Sequence, residues 1–444
     1  MKGFGPVQLF VCTAIFFGGL FAVLVPPFQS PDEPNHFLRA YQLSEGHFFP
    51  EKIGGPRLGG DLPVSLQALA DSFSYLKNNY AARLHPGLLP AAGKMPLQPE
   101  RRRFLDFANT AVYAPLGYLP QAGAIAFLRP LGAGPLAMLY AARLSNLLIW
   151  ILLVWAALST LPVLHRPVAG LAMLPASLVI AASANADVVT NGLCCWLFAA
   201  FCQPGIRRQM WQVLAFTAVC AAKLVTLPLG LLYALQRKSR LFFATLLMAG
   251  VVAAIAWGQL AQRWFIPYAA YDPSYRDTQT LNEGVDPAGQ LNFVANHPGY
   301  FLQAAAQSYV RALPSTLAHL VGKFGWEKNY LPAPWLAALW MAILGLLCCE
   351  AEGWKVRQRS LAALVAVLFI GFFSITMYML WCPVGAQELT NLQGRYFVPI
   401  GPVAALVFSN RWLAGAVRLV VPVSFGLLVL GNTAMVWAMW MRWW

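Results

Sequence analysis

The sequence predicts an all-α polytopic membrane protein, and three observations support this fold class. Of its 444 residues, 59% are apolar and only 11% are charged, whereas an ordinary soluble domain is about 45–50% apolar and about 25% charged. The mean hydropathy is +0.57. Long apolar segments recur along the chain, and a helix needs about 20 apolar residues to cross a bilayer. This composition excludes soluble, disordered, coiled-coil and disulfide-scaffold proteins.

The chain carries a formal net charge of +14. In a soluble protein this excess would suggest nucleic-acid binding. In a membrane protein, basic residues concentrate in cytoplasmic loops and contact anionic lipids or lipid-linked substrates. We therefore expect membrane lipids, and no nucleic acid, among the partners. None of the eight cysteines forms a C-x-x-C pair, so the sequence indicates neither a zinc site nor a redox motif.

Most of the chain divides into apolar spans and polar loops of one integral membrane domain, 1–444. An apolar run, 4–28, follows Lys2 and predicts a retained first span with Lys2 in the cytosol. Residues 29–133 then form the first periplasmic loop, whose later part, 113–130, is broken by prolines and glycines and predicts interfacial helices. Further spans are predicted at 134–162, 167–183, 187–204, 241–264, 332–350, 360–381, 396–410 and 418–437.

The segment 209–236 lies between two basic clusters, Arg207-Arg208 and Arg237-Lys238-Ser239-Arg240. A single span would put one cluster on the wrong side of the membrane, so we expect a helical hairpin with Lys223 near its outer turn. The chain then has about eleven spans. Only Glu350 and Glu352, of 17 acidic residues, fall on the inner side, so the acids gather at the outer face.

Two further segments complete the predicted architecture. Residues 265–331 form a second periplasmic loop, in which the apolar stretch 300–321 predicts a helix lying over the active site as a lid. Four tryptophans near the end of the chain predict an interfacial belt: Trp437, Trp440, Trp443 and Trp444. No internal repeat is visible, whereas many transporters are built from repeats.

Two adjacent carboxylates, Asp32 and Glu33, follow the first span between Pro31 and Pro34. Carboxylates at the mouth of a span are costly to desolvate without partners, and one held there can take a proton from an incoming hydroxyl. Asp32 is also well placed to cap a helix over 34–43. A capped, solvated helix start and a carboxylate pair that holds a metal are therefore alternatives to a catalytic site.

The segment PDEPNHFLRAYQL, which begins at Pro31, resembles a family of bacterial multi-spanning membrane proteins with a PDEP-x-HF motif. That family is similar in turn to the GT-C glycosyltransferases, which include protein O-mannosyltransferases and aminoarabinose transferases. The resemblance covers the chain from 4 to about 410. Its other matching segments are 109–121, 142–146, 183–187, 222–223, 324–326 and 393–399.

The resemblance implies a GT-C-like fold and an inverting glycosyltransferase in the bacterial inner membrane, with its active site facing the periplasm. The donor is a polyprenyl-phosphate-linked sugar, and the acceptor is a cell-envelope glycan, a lipid or a surface protein such as a pilin. A divalent cation, Mg or Mn, is needed by some members of the superfamily and not by others. In this resemblance, Asp32 matches the catalytic acidic residue beside the first span, and Asp187 matches the acidic residue that opens the fourth span. Lys223 matches the lysine near the outer turn of the family's short-helix hairpin.

These matches define roles for the candidate residues. Asp32 is the predicted general base, and Glu33 binds the acceptor, tunes Asp32 or helps to hold a metal. Arg395 and Lys223 are the predicted ligands of the donor phosphate, because a guanidinium can bind phosphate bidentately and an ammonium is a point charge. Both basic residues have the alternative of snorkelling to the membrane interface.

Five other side chains are candidates for substrate contact: His36, Asp187, Arg143, Tyr396 and Trp326. Each of three residues also has a structural alternative. Asp187 would be a helix N-cap, and His36 would be a packing residue. Arg143 would form a structural ion pair with an acid of the outer loop. Trp326 stacks on a sugar ring or anchors the lid in the interface.

Three other functions compete with a single-sugar transferase, and one of them is a non-catalytic membrane assembly factor. An oligosaccharide ligase or polymerase performs the same chemistry with a larger donor, and the large outer loops are compatible with it. A transporter or flippase for a lipid-linked glycan would place ionisable groups at mid-membrane on discontinuous helices. The predicted clustering of the acids at the outer mouth argues against a transporter.

Overall fold

A computed structural model of the chain describes residues 5–55, 57–203, 209–236, 239–267, 270–271, 283–326, 328–350 and 354–444. Several residues used in the topology prediction lie outside the described residues: Lys2, Arg207, Arg208, Arg237, Lys238 and Glu352. Which sides of the membrane they occupy therefore stays a prediction.

The described residues are mostly helical. The helices in chain order are α1 (Pro6–Leu24), α2 (Glu33–Ser44), α3 (Val64–Phe73), α4 (Leu88–Gly93), α5 (Ala108–Ala111), α6 (Leu119–Leu128), α7 (Pro135–Thr160), α8 (His165–Ala172), α9 (Pro175–Ala181), α10 (Asp187–Cys202), α11 (Gln209–Ala222), α12 (Arg240–Gln262), α13 (Pro287–Asn296), α14 (Pro298–Gly322), α15 (Ala333–Cys348), α16 (Val356–Trp381), α17 (Gly401–Phe408) and α18 (Val417–Trp443). Short 3₁₀ helices include Pro115–Tyr118, Leu224–Gln236 and Gly394–Ile400.

Within the described ranges, five helical segments are long and apolar enough to cross a membrane: α1, α7, α12, α16 and the segment Ala414–Trp443 that contains α18. Shorter apolar helices occupy Asp187–Cys202, Gln209–Ala222, Leu224–Leu235, Ala333–Cys348 and Gly394–Phe408. The protein is thus a helical membrane protein, as the composition predicts. The total of about eleven spans stays a prediction.

The predicted span 167–183 is divided into α8 and α9. The break falls at Met173-Leu174, directly before Pro175, which is the first residue of α9. Proline lacks the N–H that a continuous helix needs and disfavours the helical conformation of the residue before it. The divided span leaves the end of α9 and the residues after it, up to Asp187, available to the functional site.

The predicted hairpin over 209–236 is present. α11 is followed by the 3₁₀ helix Leu224–Gln236, and Gln209 at the start of α11 donates to the Tyr233 hydroxyl at 3.2 Å. A Cβ added at Gly230 would lie 2.6 Å from the ring of Phe216, so the two arms pack closely where glycine leaves room. Lys223 lies at the turn between the arms.

The first loop contains a small sheet that the sequence pattern did not predict. Strands β1 (Glu51–Ile53), β2 (Arg57–Pro63) and β3 (Arg102–Asp106) form an antiparallel sheet in the order β1-β2-β3. β2 contains two glycines and ends at a proline, which weakens any strand signal in the sequence. The sheet supports α2, because Arg102 of β3 forms an ion pair with Glu45 at 2.7 Å.

The two ends of the helix bundle carry different contacts. At one end, Arg166 pairs with Glu350 at 3.7 Å, and Arg359 donates to the Val407 carbonyl at 3.0 Å. The other end carries the first loop, the Lys223 turn and the segment that follows α14, and the candidate site lies there. The predicted interfacial segment 113–130 contains only short helices, which agrees with a segment that does not cross.

The C-terminal end of α18 packs against the same end of the bundle. Trp437, Trp440 and Trp444 are exposed, as a belt requires, but Trp443 is fully buried against Phe324. The belt prediction is therefore wrong for Trp443. A Cβ at Gly325 would lie 2.9 Å from the Trp443 ring, so this tryptophan holds the turn after α14 in place.

Candidate active site

Five separate segments of the chain enclose a cavity of about 450 Å³. Its wall is formed by the residues before and within the start of α2, by residues 109–113, by α9 with the chain up to the start of α10, by residues 319–326 and by residues of the segment 381–396. Pockets of about 300–1,000 Å³ are typical of small-molecule sites. Of the predicted site residues, the cavity is lined by Asp32, His36, Asp187, Trp326, Arg395 and Tyr396.

Asp32 presents its carboxylate to this cavity. Its backbone has φ 61°, the left-handed region that Asp tolerates better than most residues. The prediction that its side chain caps α2 is wrong, because a capping residue takes an extended conformation and Asp32 forms no cap hydrogen bond. Instead, Asn109 donates to Oδ1 and Arg395 donates to Oδ2, each at 3.3 Å. The carboxylate is thus held by two donors from distant segments.

Glu33, predicted as the second catalytic carboxylate, does not line the cavity. Its side chain is fully buried and pairs with the equally buried Arg143 at 2.6 Å. The backbone N–H groups of Phe28 and Ala184 also donate to it, each at 3.0 Å. These bonds join the end of the first span to α7 and to the segment before α10.

Of the two roles considered for Arg143, the structure shows the structural ion pair. Besides Glu33, its guanidinium donates to the carbonyl oxygens of Ala22, Val25 and Pro26 at 2.7–3.0 Å. These bonds satisfy carbonyls at the C-terminal end of α1 that have no partner within the helix. The substrate contact predicted for Arg143 has no support in this geometry.

Arg395 reaches the cavity from a tightly packed segment. A Cβ at Gly394 would lie 2.5 Å from the Thr316 carbonyl oxygen, so only glycine allows the 3₁₀ helix to lie this close to α14. Nη2 of Arg395 donates to the Tyr396 hydroxyl at 3.3 Å, and the guanidinium lies 5.2 Å from the centre of the Tyr396 ring. Nε of Arg395 is buried without a hydrogen-bond partner.

Asp187 and Lys223 form an ion pair at 2.7 Å. Asp187 is the first residue of α10, and the Asn185 side chain accepts a hydrogen bond from its backbone N–H at 2.8 Å. The N-cap residue of α10 is Ala186, so the capping alternative for Asp187 is wrong. Asp187 lines the cavity, whereas Lys223 lies behind it and does not. The hairpin turn thus supports a cavity carboxylate.

His36 is buried beside the cavity, and its Nδ1 lies 2.8 Å from the Tyr118 hydroxyl. Burial lowers the pKa of His36 to about 4, against the opposing effect of Asp32. The imidazole is therefore neutral at pH 7 and can act as a hydrogen-bond donor or acceptor. Burial also raises the pKa of Tyr118, which keeps the phenol protonated.

Aromatic side chains complete the wall. Trp326 lines the cavity, donates from Nε1 to the Phe28 carbonyl at 3.3 Å and lies under the Lys77 ammonium, 4.3 Å from its ring centre. These contacts fix the indole to the first loop. Tyr396 also lines the cavity. Both rings are candidates for packing against a sugar.

The described residues do not provide a divalent-cation site. Among them there is no group of three or more His, Cys, Asp and Glu side chains that could hold a metal. The two carboxylates that line the cavity, Asp32 and Asp187, each pair with a basic side chain instead. The donor set therefore does not fit Mg or Mn.

Sequence reasoning missed several cavity residues: Asn109, Asn185, His319, Lys323 and Gln393. Asn109, Asn185 and Gln393 belong to segments that the family resemblance singled out, so a signal for them was present. His319 and Lys323 lie outside those segments, four residues apart at the end of α14. Only the folding of α14 against Gly394 brings them to the cavity.

Three comparisons with known proteins give one match. A family model described as "Predicted membrane protein (DUF2142)" matches residues 15–404, which include every residue discussed at the cavity. No curated protein and no solved structure matches the chain. Because the model covers most of the sequence, the chain belongs to the DUF2142 family of predicted membrane proteins.

Proposed function

We propose that this protein is an inverting glycosyltransferase of the GT-C type, which moves a sugar from a polyprenyl-phosphate donor to an acceptor hydroxyl. One observation carries the proposal: the Asp32 carboxylate and the Arg395 guanidinium, 363 residues apart, meet at 3.3 Å in one cavity. A carboxylate that takes a proton and a cation that faces phosphate are the two charged groups that this reaction needs. The acceptor is a cell-envelope glycan, a lipid or a surface protein.

The reaction follows from the position of Asp32. Its carboxylate takes the proton of the acceptor hydroxyl while that oxygen attacks the anomeric carbon. The bond between the anomeric carbon and the phosphate oxygen breaks, and its electron pair leaves with the polyprenyl phosphate. The transition state has oxocarbenium character, as in glycoside hydrolysis, and attack opposite the leaving group inverts the configuration. Asn109 holds Asp32 in place for this step.

Arg395 faces the charge that develops on the leaving phosphate. Its unpartnered buried Nε and its planar guanidinium suit a bidentate contact with phosphate oxygens. Tyr396 restricts the guanidinium through ring contact and a hydrogen bond. A preorganised cation costs no reorganisation as charge builds, which is the main advantage of such sites.

The remaining predicted residues are assigned by their contacts. Asp187, held by Lys223, and the neutral His36 bind acceptor or sugar hydroxyls, and Trp326 and Tyr396 pack against the sugar ring. Lys223 holds Asp187 in place through their ion pair and is no longer assigned to the phosphate. Glu33 and Arg143 hold the framework. No step is routed through a metal, because the donor set that the described residues offer does not fit one.

The cavity faces the periplasm of a bacterial inner membrane in this proposal. The first loop, 29–133, carries the base, and the second loop, 265–331, carries the α14 wall. An oligosaccharide ligase or polymerase would use the same groups with a larger donor. A flippase has no need of a general base, so the Asp32 substitution separates the two classes.

Asp32→Asn is expected to lower sugar transfer at least about 100-fold, because the amide cannot accept the hydroxyl proton. The assay uses membranes from cells that express the wild type or a variant, supplied with polyprenyl-phosphate sugars, and measures release of polyprenyl phosphate. Asp71→Asn is the matched control, since Asp71 is an exposed carboxylate of the same loop that does not line the cavity. Full transfer activity in Asp32→Asn at normal protein level would exclude Asp32 as the base.

A further inference from the structure

One wall of the cavity is built from the end of α14 and the turn that follows it. His319 lies in the last turn of α14, and Lys323 is its C-cap residue. The chain then reverses, so that Tyr330 bridges back to Lys323 in an antiparallel arrangement. His319 and Lys323 line the same cavity as Arg395.

Tyr330 organises the two basic side chains of this wall. Its ring stacks on the His319 imidazole with centres 5.2 Å apart and planes 14° apart, and its hydroxyl lies 2.5 Å from Nε2. The Lys323 ammonium lies 6.0 Å from the centre of the same ring. When Tyr330 donates its O–H to Nε2, the imidazole proton is on Nδ1, which is then a donor.

Two nitrogens are buried here without a hydrogen-bond partner: Nδ1 of His319 in the wall and Nε of Arg395 in the 3₁₀ helix Gly394–Ile400. Buried polar atoms normally have a hydrogen-bond partner in native proteins, so two unpartnered nitrogens in one site call for an explanation. Gly394, which precedes Arg395, packs against α14 so closely that a Cβ there would lie 2.8 Å from Cβ of His319, and both His319 and Arg395 line the cavity. Two donors with free capacity beside an ammonium match a ligand that carries several anionic oxygens.

His319 acts in this wall as a neutral group. Burial, together with the nearby positive charges of Lys323 and Arg395, lowers its pKa to about 4. At pH 7 the imidazole therefore adds a hydrogen bond without adding positive charge. Lys323 brings a second full positive charge to the cavity beside Arg395, which pairs with Asp32. Lys223, predicted from the sequence as the second phosphate ligand, pairs with Asp187 and does not line the cavity.

We propose that Lys323 and His319, together with Arg395, form the subsite that binds the phosphate group of the lipid donor. That the phosphate belongs to a lipid donor rests on the proposed function. The subsite itself rests on the orphan nitrogens, the Tyr330 stack and the shared cavity lining. Lys323 supplies charge, and His319 and Arg395 supply directed hydrogen bonds.

The test measures binding rather than sugar transfer. Purified full-length protein in detergent is titrated with undecaprenyl phosphate, with undecaprenol as the uncharged analogue and with inorganic phosphate as a competitor. Lys323→Gln and His319→Gln are compared with Lys328→Gln, because Lys328 is an exposed lysine near the same turn that does not line the cavity. We expect Lys323→Gln to weaken undecaprenyl phosphate binding about tenfold or more, His319→Gln to weaken it less, and Lys328→Gln to leave it within about twofold.

Each outcome decides. The subsite would be overturned if Lys323→Gln and Lys328→Gln bound undecaprenyl phosphate with equal affinity. It would also be overturned if Lys323→Gln lost as much affinity for undecaprenol as for undecaprenyl phosphate, because that result indicates a general defect. Competition by inorganic phosphate at matched concentration would assign the wall to free phosphate and overturn the lipid source. If wild-type protein binds undecaprenyl phosphate more tightly than undecaprenol but transfers no sugar, the subsite is supported and the proposed function is contradicted.

Discussion

Asp32 and Glu33 are adjacent in the sequence, yet their side chains have unlike surroundings. Asp32 is partly exposed to the cavity and is held by weak, long hydrogen bonds. Glu33 is fully buried and receives short bonds from a guanidinium and two backbone N–H groups. The left-handed backbone at Asp32 separates the two directions. One carboxylate therefore faces the cavity, and the other stabilises the fold.

Glu33→Gln is expected to destabilise the protein by about 3–5 kcal/mol, because it leaves the buried Arg143 charge without its partner. Thermal unfolding in detergent measures the loss, with the exposed Asp71→Asn as a control that should change stability by less than about 0.5 kcal/mol. A Glu33→Gln protein of wild-type stability that has lost sugar transfer would instead return Glu33 to the catalytic group.

The depressed pKa of His36 predicts how stability depends on pH. The folded-state pKa is about 4 and the unfolded value is about 6.5, so the unfolded chain binds the proton more readily between these limits. The contribution of neutral His36 is therefore complete above pH 6.5 and is lost as the pH falls toward 4. We expect His36→Gln to flatten the fall in melting temperature over this range. An unchanged slope would contradict the burial of a neutral imidazole.

At the scale of elements, the hairpin of α11 and the 3₁₀ helix Leu224–Gln236 connects the membrane part to the cavity. Its turn residue, Lys223, holds Asp187 at the start of α10. The basic clusters on either side predicted the hairpin, because charge placement along the chain is visible in a sequence. The ion pair was not predicted, since it depends on how α10 and the hairpin pack.

A double-mutant cycle with Asp187→Asn and Lys223→Gln measures this contact. The pair is mostly buried, so we expect a coupling energy of about 0.5–3 kcal/mol in unfolding experiments. The exposed pair of Arg311 and Glu388 is the control, with an expected coupling below about 1 kcal/mol. Additive effects of Asp187→Asn and Lys223→Gln would show that the hairpin turn does not support the cavity carboxylate.

At the scale of the whole molecule, the sequence predicts what depends on composition and local pattern. The membrane class and the hairpin are confirmed, and the motif around Asp32 lies at the cavity. The sheet at Arg57–Pro63 was missed because its glycines and proline hide the strand pattern. The wall formed by His319 and Lys323 was missed because it arises from contact between α14 and Gly394, which are far apart in the chain.

The most direct measurement of the central claim uses purified protein reconstituted with a panel of polyprenyl-phosphate-linked sugars. Wild-type protein is expected to release polyprenyl phosphate from at least one donor in the presence of membrane extract as acceptor source. Asp32→Asn is expected to bind the same donor and release none, while Asp71→Asn behaves as the wild type. Equal release by wild type and Asp32→Asn would contradict the claim that this cavity transfers sugar with Asp32 as its base.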